Sequence, residues 1–141
     1  RVWRMIVDDR AEAVRLNPQD GAALASLGEA YAVMDQRDKA IEALQAAAQR
    51  TPGEWQIHAN LAKLLAEEGD KAAALRHAEQ AARLAPDQLE ARLNLAEALA
   101  LNERRAEALA LLRQTRKDMP PDNRLRPAID ARIRDLQRSL P

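Results

Sequence analysis

Four prolines, Pro18, Pro52, Pro86 and Pro120, stand 34 residues apart along the chain. A fixed spacing of that size restricts the fold to an array of similar units, each one supersecondary element long and each burying its apolar face against the next. Proline ends a helix, because it lacks a backbone donor and its ring clashes with the preceding turn. The period therefore marks where each unit stops.

The stretches between the prolines read as helices. Apolar residues recur at helical spacing over 4–16, 22–34, 38–50, 55–68, 72–84, 89–101, 105–117 and 123–139, and no run alternates long enough for a strand. The links hold Asn17-Pro18, Thr51-Pro52-Gly53, Gly69-Asp70, Ala85-Pro86-Asp87 and Pro120-Pro121-Asp122. Gly69 is placed to end one helix in the left-handed conformation, and Asp70 to cap the next. Asp87 with Glu90 has the spacing of a capping box. The expectation is an all-α chain of antiparallel helix hairpins. Aromatics are almost absent (Trp3, Trp55, Tyr31 and no Phe), so aliphatic side chains and close-packed Ala must form the core.

Aligned as 21–54, 55–88 and 89–122, the units share their residues place by place. Place 4 holds Leu24, His58 and Arg92; place 7 holds Leu27, Leu61 and Leu95; place 8 holds Gly28, Ala62 and Ala96; place 11 holds Tyr31, Leu65 and Leu99. These places make one face of the first helix. In the second helix, place 20 is Ala40, Ala74 and Ala108, place 24 is Leu44, Ala78 and Leu112, and place 27 is Ala47, Ala81 and Thr115. Small residues at places 8, 20 and 27 let the two helices approach closely. Beyond Pro121, the residues Leu125, Ile129, Ile133, Leu136 and Leu140 form a stripe that suits an amphipathic helix covering the open end of the array, with Pro127 in its first turn if it begins near Asn123.

Several function classes are excluded by the residues themselves. There is no cysteine, so there is no disulfide scaffold, thiolate metal site or Cys nucleophile. Formal net charge is zero, which argues against a nucleic-acid binder, and no stretch is apolar enough to span a membrane. The only histidines, His58 and His77, have no ligand-spaced partner on their own helices, so the expected roles are packing for His58 and a solvated or capping role for His77. No nucleophile elbow or phosphate-binding loop is present. The chain is expected to bear no cofactor and no catalytic site. Its first residue is Arg1, inside a helical pattern, as expected of a piece of a longer polypeptide.

The 34-residue pattern resembles the tetratricopeptide repeat, with "LASLGEAYA" in the first unit, "NLAKLL" and "AARLAP" in the second and "NLAEAL" in the third. The third departs from the pattern with Arg92 at place 4 and Thr115 at place 27. The resemblance implies a superhelix of hairpins: residues 1–20 as the second helix of a partial repeat (Ile6 and Ala13 at places 20 and 27), repeats 21–54, 55–88 and 89–122, and a capping helix in 123–141. It further implies a protein-binding module whose concave face is lined by places 2, 5, 6, 9, 12 and 13 of the first helices. Here these are Ala22, Ala25, Ser26, Glu29, Ala32 and Val33, then Gln56, Ala59, Asn60, Lys63, Ala66 and Glu67, then Glu90, Leu93, Asn94, Glu97, Ala100 and Leu101.

Among them Ser26, Glu29, Val33, Gln56, Asn60, Lys63, Glu67, Glu90, Asn94, Glu97 and Leu101 are the candidate partner-binding residues. Four Glu stand against one Lys, which suits a peptide or amphipathic helix with a basic edge. The basic clamp by which some members of the family hold a chaperone's terminal carboxylate is disfavoured by Ala25, Glu90 and Asn94. Trp55, at place 1, is expected to pack on the preceding hairpin or to anchor a partner. The arginines of the last helix interleave with Asp130 and Asp135, as on a solvated face.

The closing "MPPDNRLRPAIDARIRDLQ" is similar to the periplasmic repeat domain of bacterial cytochrome c maturation proteins, which implies apocytochrome c as the partner and the periplasm as the compartment. A scaffold in an envelope assembly, secretion or export machine, a regulatory domain of a larger protein, and self-association through the array ends stay open beside it.

Overall fold

The computed structural model describes residues 2–140, so the first and last residues of the expected terminal segments lie outside it. Among the described residues there are eight helices: α1 (Val2–Leu16), α2 (Gly21–Val33), α3 (Arg37–Arg50), α4 (Trp55–Glu68), α5 (Lys71–Leu84), α6 (Leu89–Leu101), α7 (Arg105–Asp118) and α8 (Arg126–Ser139). Each packs against the next in sequence, and α4 also meets α6, so the hairpins α2–α3, α4–α5 and α6–α7 stack as an all-α repeat superhelix.

One backbone device ends the first helix of every hairpin. Asp35, Gly69 and Glu103, all at place 15, have φ of 57°, 90° and 62°. The next residue's N–H bonds back to the helix, from Gln36 to Tyr31 O at 2.9 Å, from Asp70 to Leu65 O at 2.9 Å and from Arg104 to Leu99 O at 2.9 Å. This is the Schellman arrangement, in which a left-handed residue satisfies the last carbonyls. Only Gly69 takes that conformation without strain. Glu103→Gly is therefore expected to stabilise the chain by roughly 0.5 kcal/mol, the relief of left-handed strain exceeding the entropy that glycine adds to the unfolded state. The midpoint of urea unfolding checks it.

A second device carries the chain between hairpins. Pro18, Pro52 and Pro86, at place 32, each occupy the second position of a β-turn, closed by Asp20 N–H on Asn17 O (3.1 Å), Glu54 N–H on Thr51 O (3.3 Å) and Gln88 N–H on Ala85 O (3.1 Å). At the fourth occurrence the turn moves on by one residue, with Asn123 N–H on Pro120 O at 3.1 Å and Pro121 in the second position. Asn123 Oδ1 then accepts from Leu125 N–H at 2.9 Å, an Asx-turn, and α8 starts at Arg126 instead of near Asn123. Pro127 still lies in the first turn, but Leu125 is the N-cap, exposed and off the apolar stripe.

Asp70 caps α5 as expected, accepting from Ala73 N–H at 3.1 Å. The capping box at Asp87 does not form: the N-cap of α6 is Gln88, and Asp87 sits one residue early, in the turn that Pro86 dictates.

The core follows the shared places. Ala40, Ala47, Ala74, Ala78, Ala81 and Ala108 are fully buried where second helices meet first helices, and Leu44, Leu61 and Leu112 fill the layers between them. Thr115 replaces Ala at place 27 without an unpaired hydroxyl, because Oγ1 donates to Leu111 O at 2.7 Å. Arg92 replaces an apolar residue at place 4 by donating from Nε to Pro86 O (2.7 Å) and from a terminal nitrogen to Asp118 (2.9 Å). His58, at the same place one repeat earlier, bonds the equivalent carbonyl of Pro52 at 3.0 Å. His77 is neither solvated nor a cap, since its ring meets His58 across the hairpin.

Trp55 packs against Ala59, Ala81 and Ala91, so it reaches forward to the following hairpin and not back to the preceding one. In α1 the buried contact is Val7, with Ile6, Ala11 and Val14 beside it, while Ala13 is exposed. α1 meets α2 along one narrow stripe, so the small residue at place 27 has no helix to approach. At the other end Ile129 and Leu136 of α8 are buried in the cluster that holds Ala100, Leu112 and Met119, with Ile133 and Leu140 against it. Arg126 donates to Met119 O at 3.2 Å, and Arg116 pairs with Asp130, tying α7 to α8.

Candidate functional site

Three adjoining depressions run along the face made by α2, α4 and α6. The first, about 450 Å³, is lined by Ser26, Glu29 and Gln56 with Ala22, Ala25, Glu54 and Ile57. The second, about 430 Å³, shares Glu29 and adds Val33, Asn60, Lys63 and Glu67 over Ala32 and Leu64. The third, about 270 Å³, shares Lys63 and Glu67 and adds Asn94, Glu97 and Leu101 over Ala62, Ala66 and Ala98. The shared residues make them one groove.

Ten of the eleven candidate residues line this groove. Glu90 does not; it is exposed in the first turn of α6. Ala59 and Ala100, expected to line the face, are buried instead: Ala59 lies under Trp55, and Ala100 sits in the cluster that α8 covers. The floor is built from alanines because first helices can approach closely only where side chains are small, while Glu29, Lys63 and Glu97 at place 9 project from the rim and place 6 is half-buried.

The groove's charge differs from the sequence count. Arg132 of α8 reaches Glu97 with two bonds, at 2.7 and 3.0 Å, and the carboxylate raises the arginine's affinity for its proton. Arg37, at the start of α3, lies 3.2 Å from Glu67. Two of the four acidic groups are thus partly neutralised by residues that no first-helix pattern includes. The nearest signal was the row of arginines in the last helix, but nothing in it specified which one turns toward α6. Glu29 has no ion-pair partner among the described residues and sits where the first two depressions join.

Hydrogen-bonding capacity is left over as well. Asn94 Nδ2 is buried and has no partner among the described residues. Asn60 occupies the same place one repeat earlier and lines the second depression. No group of three or more His, Asp or Glu side chains able to hold a metal ion occurs among the described residues. No helix of the described residues is long and apolar enough to cross a membrane.

Residues 65–132 match the family model of the tetratricopeptide repeat. Such repeats typically form non-catalytic modules of protein–protein interaction. No curated protein matches the chain by sequence.

Solved tetratricopeptide structures share the fold at low identity. YrrB, described as having an unusual peptide-binding site, superposes with a TM-score of 0.78 at 16% identity, covering 97% of this chain and 79% of its own. A thermophilic repeat protein of Thermus thermophilus gives 0.73 at 22%, covering 93% and 71%. MamA gives 0.72 at 21%, covering 79% of this chain, which spans only 61% of the MamA chain it matches.

Proposed function

We propose that the concave groove holds a peptide or amphipathic helix of a partner protein, with basic residues of the ligand meeting Glu29 and the rim at Glu67 and Glu97. The observation that carries this reading is the continuous groove itself, with an alanine floor, acidic and amide side chains on its rim, and an amide donor at Asn94 that no described residue satisfies. An apolar ridge fits the floor, and backbone carbonyls of the ligand fit the Asn60 and Asn94 amides. With few aromatic anchors, affinity is expected in the micromolar range, about −8 kcal/mol.

The C-terminal helix of apocytochrome c is the occupant we propose to try first. It is amphipathic and basic, and the end of the chain is similar to the repeat domain that holds apocytochromes before haem attachment. That reading places the domain in the periplasm, as a non-catalytic holding module that engages protein and not nucleic acid or lipid. Calorimetric titration with that helix as a peptide, against a scrambled control, tests it. Binding that vanishes on scrambling supports the assignment, and failure of both peptides removes it.

If the groove is the site, Asn60→Ala with Asn94→Ala is expected to weaken the peptide by roughly tenfold, about two neutral hydrogen bonds' net worth, with helix content unchanged. Arg132→Ala frees Glu97. It is expected to tighten a basic peptide by a few-fold at low salt and to steepen the salt dependence, because exposed pairs of this kind contribute at most about 1 kcal/mol. Equal affinity and equal salt slope in wild type and variant would put the ligand elsewhere.

Val2, Trp3 and Met5 of α1 are exposed. This favours a second reading, in which array ends associate with one another. Mass measured as a function of concentration separates the two.

A further inference from the structure

His58 and His77 are the only histidines in the chain, and the fold sets them against each other from the facing helices of the second hairpin. His58 Nε2 lies 3.0 Å from the carbonyl oxygen of Pro52. A carbonyl only accepts, so that nitrogen carries hydrogen. In a neutral ring this leaves His58 Nδ1 as a bare acceptor, and the hydrogen in the 3.1 Å Nδ1···Nδ1 contact must come from His77. The ring planes are 23° apart and the centroids 5.4 Å apart, longer than the nitrogen contact by about a ring's width. The rings therefore meet edge to edge, through the nitrogens, as a straight N–H···N bond requires.

The pair has one free lone pair, on Nε2 of the half-buried His77. A first added proton there leaves His77 donating to His58 as before. A second has no site except His58 Nδ1, and would set two N–H donors and two positive charges face to face. We propose that the His58–His77 pair is an acid-sensitive latch on the second hairpin, holding α4, α5 and the Pro52 turn together until both rings are charged.

The charged groups acting on the pair strengthen this. Burial, His58 from α4 and Arg76 from α5 together hold His77 below the ordinary histidine range. The α3–α4 turn presents a carbonyl, and neither ring has a carboxylate partner among the described residues. The folded form resists charging His77, whereas in the unfolded chain that ring takes up its proton near pH ~6.5. The stabilisation is complete above that pH and is lost as pH falls below it. Thr51 and Glu54 of the same turn border the groove beside Ser26 and Glu29, so release reaches one end of the groove.

Two measurements test the latch independently of any ligand. Nitrogen-15 NMR of the imidazoles at about pH 7.5 is expected to show hydrogen on Nε2 of His58 and on Nδ1 of His77. The opposite assignment, or both rings fully charged at about pH 5.5 with their contact intact, overturns the proposal. Urea unfolding is then compared between wild type and the histidine-free His58→Leu/His77→Gln chain, Leu being the residue at place 4 of the first repeat. Below pH ~6 the folding constant of the wild type is expected to fall relative to the variant by up to about tenfold per pH unit. Parallel pH dependences overturn the latch, and the NMR assignment decides if the variant does not fold.

Discussion

Gly28→Leu is expected to cost at least about 3 kcal/mol, a large part of the ~5–15 kcal/mol that stabilises a domain. A Cβ at this position would stand 2.7 Å from Leu44 Cγ and 3.2 Å from the backbone oxygen of Ala40. Leu44 is 1% exposed, so it can give way by a small shift only, and the Ala40 carbonyl belongs to α3 itself. The remaining atoms of a leucine can fit only if α2 and α3 part. Repeats two and three hold Ala62 and Ala96 at the same place, so only the first hairpin has no Cβ at this contact. Gly28→Ala is expected to cost less, about 1–2 kcal/mol, because one methyl can be met by a shift of Leu44. Urea unfolding followed by helix signal measures both; a loss under about 1 kcal/mol for Gly28→Leu would contradict the packing described.

The second large effect concerns the helix that closes the array. Ile129 and Leu136 are each 3% exposed, and they are the deepest contacts of α8. Truncating either to Ala is expected to cost about 2–4 kcal/mol, and the pair less than the sum, since both insert into one cluster. The double variant Ile129→Ala/Leu136→Ala should release α8 while α2 to α5 stay folded, as nearest-neighbour stability in a repeat array requires. Limited proteolysis would then cut within 123–140 first, with the second hairpin still resistant. Release also removes Arg132 from Glu97, so the surviving groove should bind a basic peptide with a steeper salt dependence. An unchanged digestion pattern would show that α8 is held by something other than these two side chains.

The period of the prolines and the small residues at places 8, 20 and 27 made the hairpin array legible, because both record backbone geometry that recurs in every unit. The ends of elements were less so. Asp87 has capping chemistry, but the turn set by Pro86 leaves it one residue short of the N-cap, and a second proline at 121 delays α8 in the same way. Long side chains escaped the reading for another reason. Arg132, Arg37 and His77 act across helix pairs, and a periodic pattern reports which face a residue occupies without saying how far its side chain reaches. Trp55 shows the same limit: its place was clear, and the hairpin it touches was not. At the groove, the first-helix places located ten rim residues, whereas the burial of Ala59 and Ala100 depends on the next hairpin and on α8.

Ligands are expected to enter the concave face. Backbone amide shifts of the nitrogen-15-labelled domain, followed while the apocytochrome c C-terminal helix peptide is added, test it most directly. The moving resonances are expected to cluster at Ser26, Glu29, Asn60, Lys63 and Asn94, with α3, α5 and α7 still. Shifts confined to those second helices, or to α1, would contradict it.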